Sequence, residues 1–235
     1  HVVEALQQYP HVGWKAGAGA VFAHMRGLRE RAFFGLMDEL IPRQAGTARA
    51  LDVGCGAGRL MAELGRAGWA VEGLEPDPVA AEVARRTSGC PVTVGDLLTV
   101  DLPASVFDLV VLSHVFEHLA DPNAALRRIA ELLVPTGRAV LIYPNPGGLG
   151  ARLYRGLWAG WDPPRHLVIP SAQAMAATAS RNGLLPLKVR SASRSFGGFS
   201  WRVACNAQLG PGSAVRAGWT SKLFQTISSD RVLKE

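Results

Sequence analysis

The sequence predicts an α/β domain. It is a doubly wound, mostly parallel sheet of about seven strands, with an N-terminal helix before it and an inserted lid segment. Three observations predict it. From Ala50 onward, short apolar runs alternate with stretches of helical period. Two of those stretches open on Asp-Pro, at Asp77-Pro78 and Asp121-Pro122, where Asp caps a helix and Pro takes its first position. The first apolar run also passes directly into Gly54-Cys55-Gly56-Ala57-Gly58. Strands that alternate with helices imply right-handed crossovers and a parallel sheet covered on both faces.

Residues 1–19 show no period and read as an irregular arm, in which Tyr9, His11 and Trp14 either fold over a ligand or form a loose end. Val21, Met25, Leu28, Ala32, Leu36 and Leu40 recur at helical spacing until Pro42, giving a first segment over 1–42. The main domain is expected over 43–210. Its strands are Ala50–Val53, Trp69–Leu74, Pro91–Val94, Phe107–Leu112 and Ala139–Tyr143, then Leu184–Val189 and Phe199–Cys205. Pro135-Thr136-Gly137 reads as a turn into the fifth strand. Residues 144–170, rich in Pro, Gly and Trp, form the lid insertion, and Ser171 caps a helix ended by Asn182-Gly183. Residues 211–235 are expected to be a basic tail or helix.

Composition narrows the function. Of 235 residues, 48% are hydrophobic and 19% charged, which excludes a disordered chain. Runs such as Leu109–Leu112 fall far short of the roughly 20 residues of a membrane helix. Three scattered cysteines make no disulfide framework or zinc site, and with no signal-like leader visible a reducing cytoplasm is expected. The net charge of +6 is uneven: residues 151–235 carry 12 Lys/Arg and only Asp162, Asp230 and Glu235 as acids. That excess suits an anionic partner or an Arg-rich solvated surface. Oligomeric state is not legible.

Asp52 to Gly58 lie where a strand becomes a helix. Gly54 and Gly56 let a ligand approach the backbone, and the helix amides favour its carboxylate or phosphate oxygens. Glu75, with Pro76, follows the second strand about twenty residues on, where a carboxylate binds both hydroxyls of a ribose. Gly58 comes one residue early for the nicotinamide fingerprint, and Asp52 would repel a pyrophosphate but attract a cationic amino-acid group. The charges favour adenosylmethionine over a dinucleotide.

On these residues the chain resembles the class I S-adenosylmethionine-dependent methyltransferases, a Rossmann-like family. The matching segments are Leu51–Gly58 (including Cys55), Glu75, Gly95-Asp96 and Phe107–Val111, in the family's order and spacing. The resemblance implies that Asp96 and Leu97 contact the adenine and that Ser113-His114 lie along the ligand. Val115-Phe116-Glu117-His118-Leu119 with Asp121-Pro122 is similar to a stretch of the ubiquinone- and sugar-type methyltransferases. In the ubiquinone-type enzymes acids and a His of this stretch hold a divalent metal. Here His114 stands where the first acid is expected, so Glu117 and His118 are expected to orient the loop and no metal is expected.

Trp158–Leu167 resembles a Trp-x-Gly-x-Asp-x-Pro-Arg-His-Leu stretch of methyltransferases found with polysaccharide-biosynthesis enzymes. It suits a stiff cover that excludes water from the methyl group. His166 is the candidate base, since its ordinary pKa lies near neutrality. Trp161, Arg165 and His118 are candidate acceptor contacts, with Arg165 matched to an anionic group. The alternative is a clasp in which Asp162, Arg165 and His166 bond among themselves. The expectation is therefore methyl transfer from S-adenosylmethionine to oxygen of a small or glycan-linked acceptor. N- or C-methylation and a non-catalytic adenosylmethionine-binding module stay open. A nucleic-acid substrate is not expected, because no base-gripping Pro-Pro-aromatic motif follows the fourth strand.

Overall fold

The computed structural model describes residues 48–193 and 199–207. The predicted N-terminal arm and helix, with Tyr9, His11 and Trp14, and the predicted C-terminal tail lie outside the described residues.

Five strands run parallel: β1 (Arg49–Val53), β2 (Ala70–Glu75), β3 (Val92–Val94), β4 (Phe107–Ser113) and β5 (Leu133–Pro144). β6 (Leu184–Ser193) and β7 (Phe199–Ala207) join antiparallel, giving the order β3-β2-β1-β4-β5-β7-β6. The order reverses between β1 and β4. At such a switch point crossovers leave the sheet on opposite faces and open a crevice at the strands' carboxyl ends.

Helices α1 (Arg59–Arg66) and α2 (Pro78–Ser88) pack together, as do α3 (Pro122–Leu132) and α5 (Ala172–Arg181). A short α4 (Leu149–Tyr154) lies in the lid segment. Three capping side chains sit where the sequence places them. Asp77 accepts from Val79 N at 2.8 Å, Asp121 from Ala124 N at 2.9 Å and Ser171 from Ala174 N at 3.2 Å. Each satisfies a backbone donor that has no partner inside its helix.

The core is continuous. Leu51, Val53, Val110 and Leu112 of the central strands meet Leu126 and Ile129 of α3 and Met175 and Ala179 of α5. β1 and β4 are buried nearly throughout, as central strands of a parallel sheet covered by helices are.

The strands β6 and β7 run a few residues past their expected ends, and the start of β5 differs most from expectation. Pro135-Thr136-Gly137 is not a turn before β5 but lies inside it, since the strand already pairs Leu133 with Phe107. The register then shifts between Phe107 and Leu109, a bulge that absorbs the irregular backbone. Gly137 is needed there, because a Cβ would come 2.9 Å from Phe107 O and Val134 O.

Candidate functional site

The crevice is built on the turn after β1. Gly54 N and Cys55 N both donate to Leu74 O, at 2.7 and 3.2 Å, which ties the turn to β2. Gly54 and Gly56 have φ of 66° and 53°, a region closed to most side chains. A Cβ on Gly54 would collide with the side chain of Val115, whereas one on Gly56 would meet nothing within 4 Å. So Gly54 is held by packing against the turn after β4, and Gly56 faces open space.

Glu75, buried at the end of β2, locks this turn. Its Oε2 accepts from Gly56 N at 2.9 Å and its Oε1 from Asp77 N at 3.1 Å. Each oxygen keeps a further lone pair, which is what a ribose diol requires. Asp52, near the end of the neighbouring β1, is 2% exposed, and its Oδ2 has no hydrogen-bond partner among the described residues. Burial, and after it the charge of Glu75, push the Asp52 carboxyl up to about 8. Burial likewise raises the Cys55 thiol to about 12, with Asp52 and Glu75 adding to the shift, so Cys55 is a packing residue rather than a nucleophile. A buried carboxylate without a donor is costly, and a cationic ligand group beside it would relieve that cost. The glycine turn, Glu75 and Asp52 thus fit adenosylmethionine.

The other expected cofactor residues divide. Asp96 forms a turn: its Oδ1 accepts from Leu98 N at 2.8 Å and its carbonyl from Thr99 N and Val100 N. The Leu97 side chain is packed into the hydrophobic core, so only its backbone is left for a ligand. Pro76 is exposed between β2 and α2. Ser113 is partly exposed at the end of β4, and His114 adopts φ 58° with its Nδ1 3.2 Å from Glu117 Oε1.

Beyond β4 the chain makes a 3-10 turn over Phe116–His118, and the lid segment is fastened to it. Leu167 N and Val168 N donate to Glu117 O at 2.7 and 3.3 Å, and His118 Nδ1 donates to Arg165 O at 2.9 Å. His166, with its side chain 11% exposed, donates from Nδ1 to Gly160 O at 2.8 Å. Its Nε2 lies 4.0 Å from Glu117 Oε1 and 3.9 Å from Asp162 Oδ2. Asp162 is itself paired at 2.6 Å with Arg165, whose side chain is 66% exposed. Trp161 stands at right angles to the buried Trp158, with ring centres 5.1 Å apart, and donates to Arg155 O at 2.7 Å. The structure therefore joins His118 and His166, but around Glu117, which the sequence pattern marks only as a loop-orienting residue. Its side chain is 1% exposed, and Oε2 has no partner among the described residues. An uninterrupted Phe-Glu-His after a buried strand was the available signal.

Comparison with known proteins agrees with this geometry. A family model described as "Methyltransferase domain" matches residues 25–189. An uncharacterized methyltransferase of Mycobacterium tuberculosis is 35% identical over 127 residues, 52% of this chain and 61% of the relative. The ubiquinone biosynthesis O-methyltransferase of Xanthomonas euvesicatoria is 39% identical over 102 residues, 40% of this chain and 42% of that protein. The matches thus span less than two thirds of these relatives. Among solved structures, a geranyl diphosphate C-methyltransferase of Streptomyces coelicolor, crystallised with S-adenosyl-L-homocysteine, superimposes with a TM-score of 0.66 at 17% identity. It covers 85% of this chain and 86% of that one. A TehB-like SAM-dependent methyltransferase of Corynebacterium glutamicum gives 0.56 at 23% identity, over 79% and 99%. No helix among the described residues is long and apolar enough to cross a membrane.

Proposed function

This chain belongs to the methyltransferase domain family, with the class I S-adenosylmethionine-dependent fold, and from that premise we propose that it methylates an oxygen of a small or glycan-linked acceptor. The observation that carries the proposal is Glu75, whose two oxygens hold the glycine turn open beside a buried, unpartnered Asp52 oxygen. Bound there, S-adenosylmethionine supplies a methyl group on a sulfonium, open to direct displacement. Glu75 takes the ribose hydroxyls, Asp52 the cationic amino-acid end, and the amides of the Gly54–Gly58 turn its carboxylate. Cys55, Pro76, Asp96, the Leu97 backbone, Ser113 and His114 complete the walls.

The acceptor end is assigned to the lid. Trp161 excludes water, and Arg165, exposed beside its partner Asp162, meets an anionic group such as a phosphate. Loss of the acceptor's proton is assigned to the cluster around Glu117, with His166 Nε2 as its available nitrogen. The Nδ1 bond to Gly160 O fixes that tautomer. Oxygen is preferred as the methylated atom because the ubiquinone-pathway relatives carry the name O-methyltransferase. Free thiols at Cys55 and Cys90 suit a cytoplasmic setting.

Calorimetry tests the cofactor assignment. Glu75→Ala removes two charge-assisted bonds, each worth roughly 1.5–3 kcal/mol, so affinity for S-adenosylmethionine falls at least tenfold while NADH does not bind. Unchanged affinity overturns the assignment. Labelled methyl transfer to nucleotide sugars, quinone-like phenols and glycan fragments tests the acceptor; label on nitrogen or carbon of the product overturns O-methylation.

A further inference from the structure

We propose that Glu117, His118 and His166 form a binding site for a divalent transition-metal ion of the zinc kind, at the acceptor end of the crevice. One ligand atom from each of the three lies within 4.8 Å of the others. This deepens the function proposed above and rests on it: with the ion bound, the His166 Nε2 lone pair would go to the metal, and the cation, by acidifying a coordinated acceptor hydroxyl whose proton leaves to water, would take over the role of the base.

Four features separate this cluster from an ordinary hydrogen-bonded knot. First, each imidazole is already engaged on one side by a backbone carbonyl: His118 Nδ1 by Arg165 O at 2.9 Å and His166 Nδ1 by Gly160 O at 2.8 Å. A carbonyl forces the proton onto Nδ1 and leaves a lone pair on Nε2, the outer-shell arrangement that orients metal-binding histidines. Second, the two rings lie edge to face with centres 4.8 Å apart, near enough for both to serve one ion. Third, Glu117 is fully buried and its Oε2 has no hydrogen-bond partner among the described residues. A carboxylate so placed leaves a coordination bond or a proton unaccounted for. Fourth, the titratable neighbours leave Glu117 Oε2 untouched. Asp162, 3.9 Å from His166 Nε2, is paired with Arg165, and His114 Nδ1 lies 3.2 Å from the other oxygen, Glu117 Oε1.

Two imidazoles and one carboxylate are the three protein ligands of open zinc sites, which keep a position free for water or substrate. The donor set also selects the metal. Two nitrogens and one oxygen suit zinc or cobalt, while magnesium and calcium ask for more oxygen ligands than this cluster holds. That is why the stretch from Ser113 to Asp121 alone argues against a metal: the second imidazole arrives from the lid. Metal–nitrogen bonds of about 2.0–2.1 Å require the three side chains to draw together, a rotamer-scale movement.

The test uses the full chain, stripped with a chelator and titrated with Co²⁺ as an optical probe, then with Zn²⁺ in competition. S-adenosylhomocysteine binding is measured on every sample. The expected result is one equivalent of Co²⁺, with visible bands of low-coordinate cobalt, no thiolate charge-transfer band, and displacement by Zn²⁺. Affinity should fall at least about 100-fold in His118→Ala, His166→Ala and Glu117→Gln, and stay unchanged in Cys90→Ser. X-ray absorption on the wild-type protein counts the imidazoles without any variant, and two are expected. No stoichiometric uptake, uptake unchanged in both histidine variants, or fewer than two imidazoles overturns the site. Such a result with S-adenosylhomocysteine still bound leaves a proton-sharing cluster and removes this inference alone. Failure to bind S-adenosylhomocysteine removes the reading on which it rests.

Discussion

Asp52 and Glu75 end adjacent parallel strands, yet their surroundings give them different duties. Glu75 has two backbone donors and acts as a fastener for the glycine turn. Asp52 keeps one oxygen without a partner, and its carboxyl is pushed from 3.8 to about 8 by burial and then by Glu75. Between those two pH values the folded chain binds a proton that the unfolded chain does not. Stability contributed at this residue is therefore present below pH 3.8 and falls as pH rises toward 8. Asp52→Asn removes the titration while keeping shape and size. Thermal unfolding should show the ligand-free variant gaining on the wild type as pH increases from 4 to 8, with the gap closing again at low pH. A gap that does not change with pH would show that Asp52 is already solvated or paired. The same variant should bind S-adenosylmethionine more weakly, because the amide cannot meet the cationic end with a negative charge.

At the scale of elements, the sequence resolves what local chemistry decides. Asp77, Asp121 and Ser171 start helices where an oxygen two or three residues before a free amide is the whole requirement. The start of β5 was not legible, because Pro135 and Gly137 signal a turn and only pairing with β4 overrides them. The Glu117 cluster was hidden for a related reason. Its members lie on two segments far apart in sequence, and what joins them is backbone bonding of Leu167 and Val168 to Glu117 O. At Leu97 the side chain lies in the core, so the contact that the resemblance implies falls to its backbone. The lid also separates binding from stability. The Asp162–Arg165 pair is largely exposed on its Arg side and is worth at most about 1 kcal/mol. Arg165→Ala should leave the melting temperature nearly unchanged while raising the Michaelis constant for anionic acceptors more than for neutral ones. A cation that pairs equally in ground and transition states affects binding rather than turnover. Equal effects on both acceptor classes would place Arg165 outside the acceptor site.

Over the whole molecule, the site belongs to no single element. It is the meeting of strand ends at the point where the sheet order reverses, with Glu75 from β2, Asp52 from β1, and the turn after β4 packed through Val115 onto Gly54. The alternation of elements made this much legible, since parallel strands must present their carboxyl ends along one edge of the sheet. A ligand held by these strand ends binds the folded chain alone, so its binding energy is read out as global stability. For a ligand that binds only the folded state at 100 times its dissociation constant, the gain is about 2.7 kcal/mol. In a domain of this size that corresponds to a rise in melting temperature of roughly 5–11 °C. S-Adenosylhomocysteine should produce such a shift in the wild-type chain, scaling with the logarithm of its concentration, and at the same concentration a much smaller one in Glu75→Ala. NADH should produce none. A shift of equal size in Glu75→Ala would mean that the nucleoside is held elsewhere, and that the carboxylate serves only to fasten the turn it now bridges.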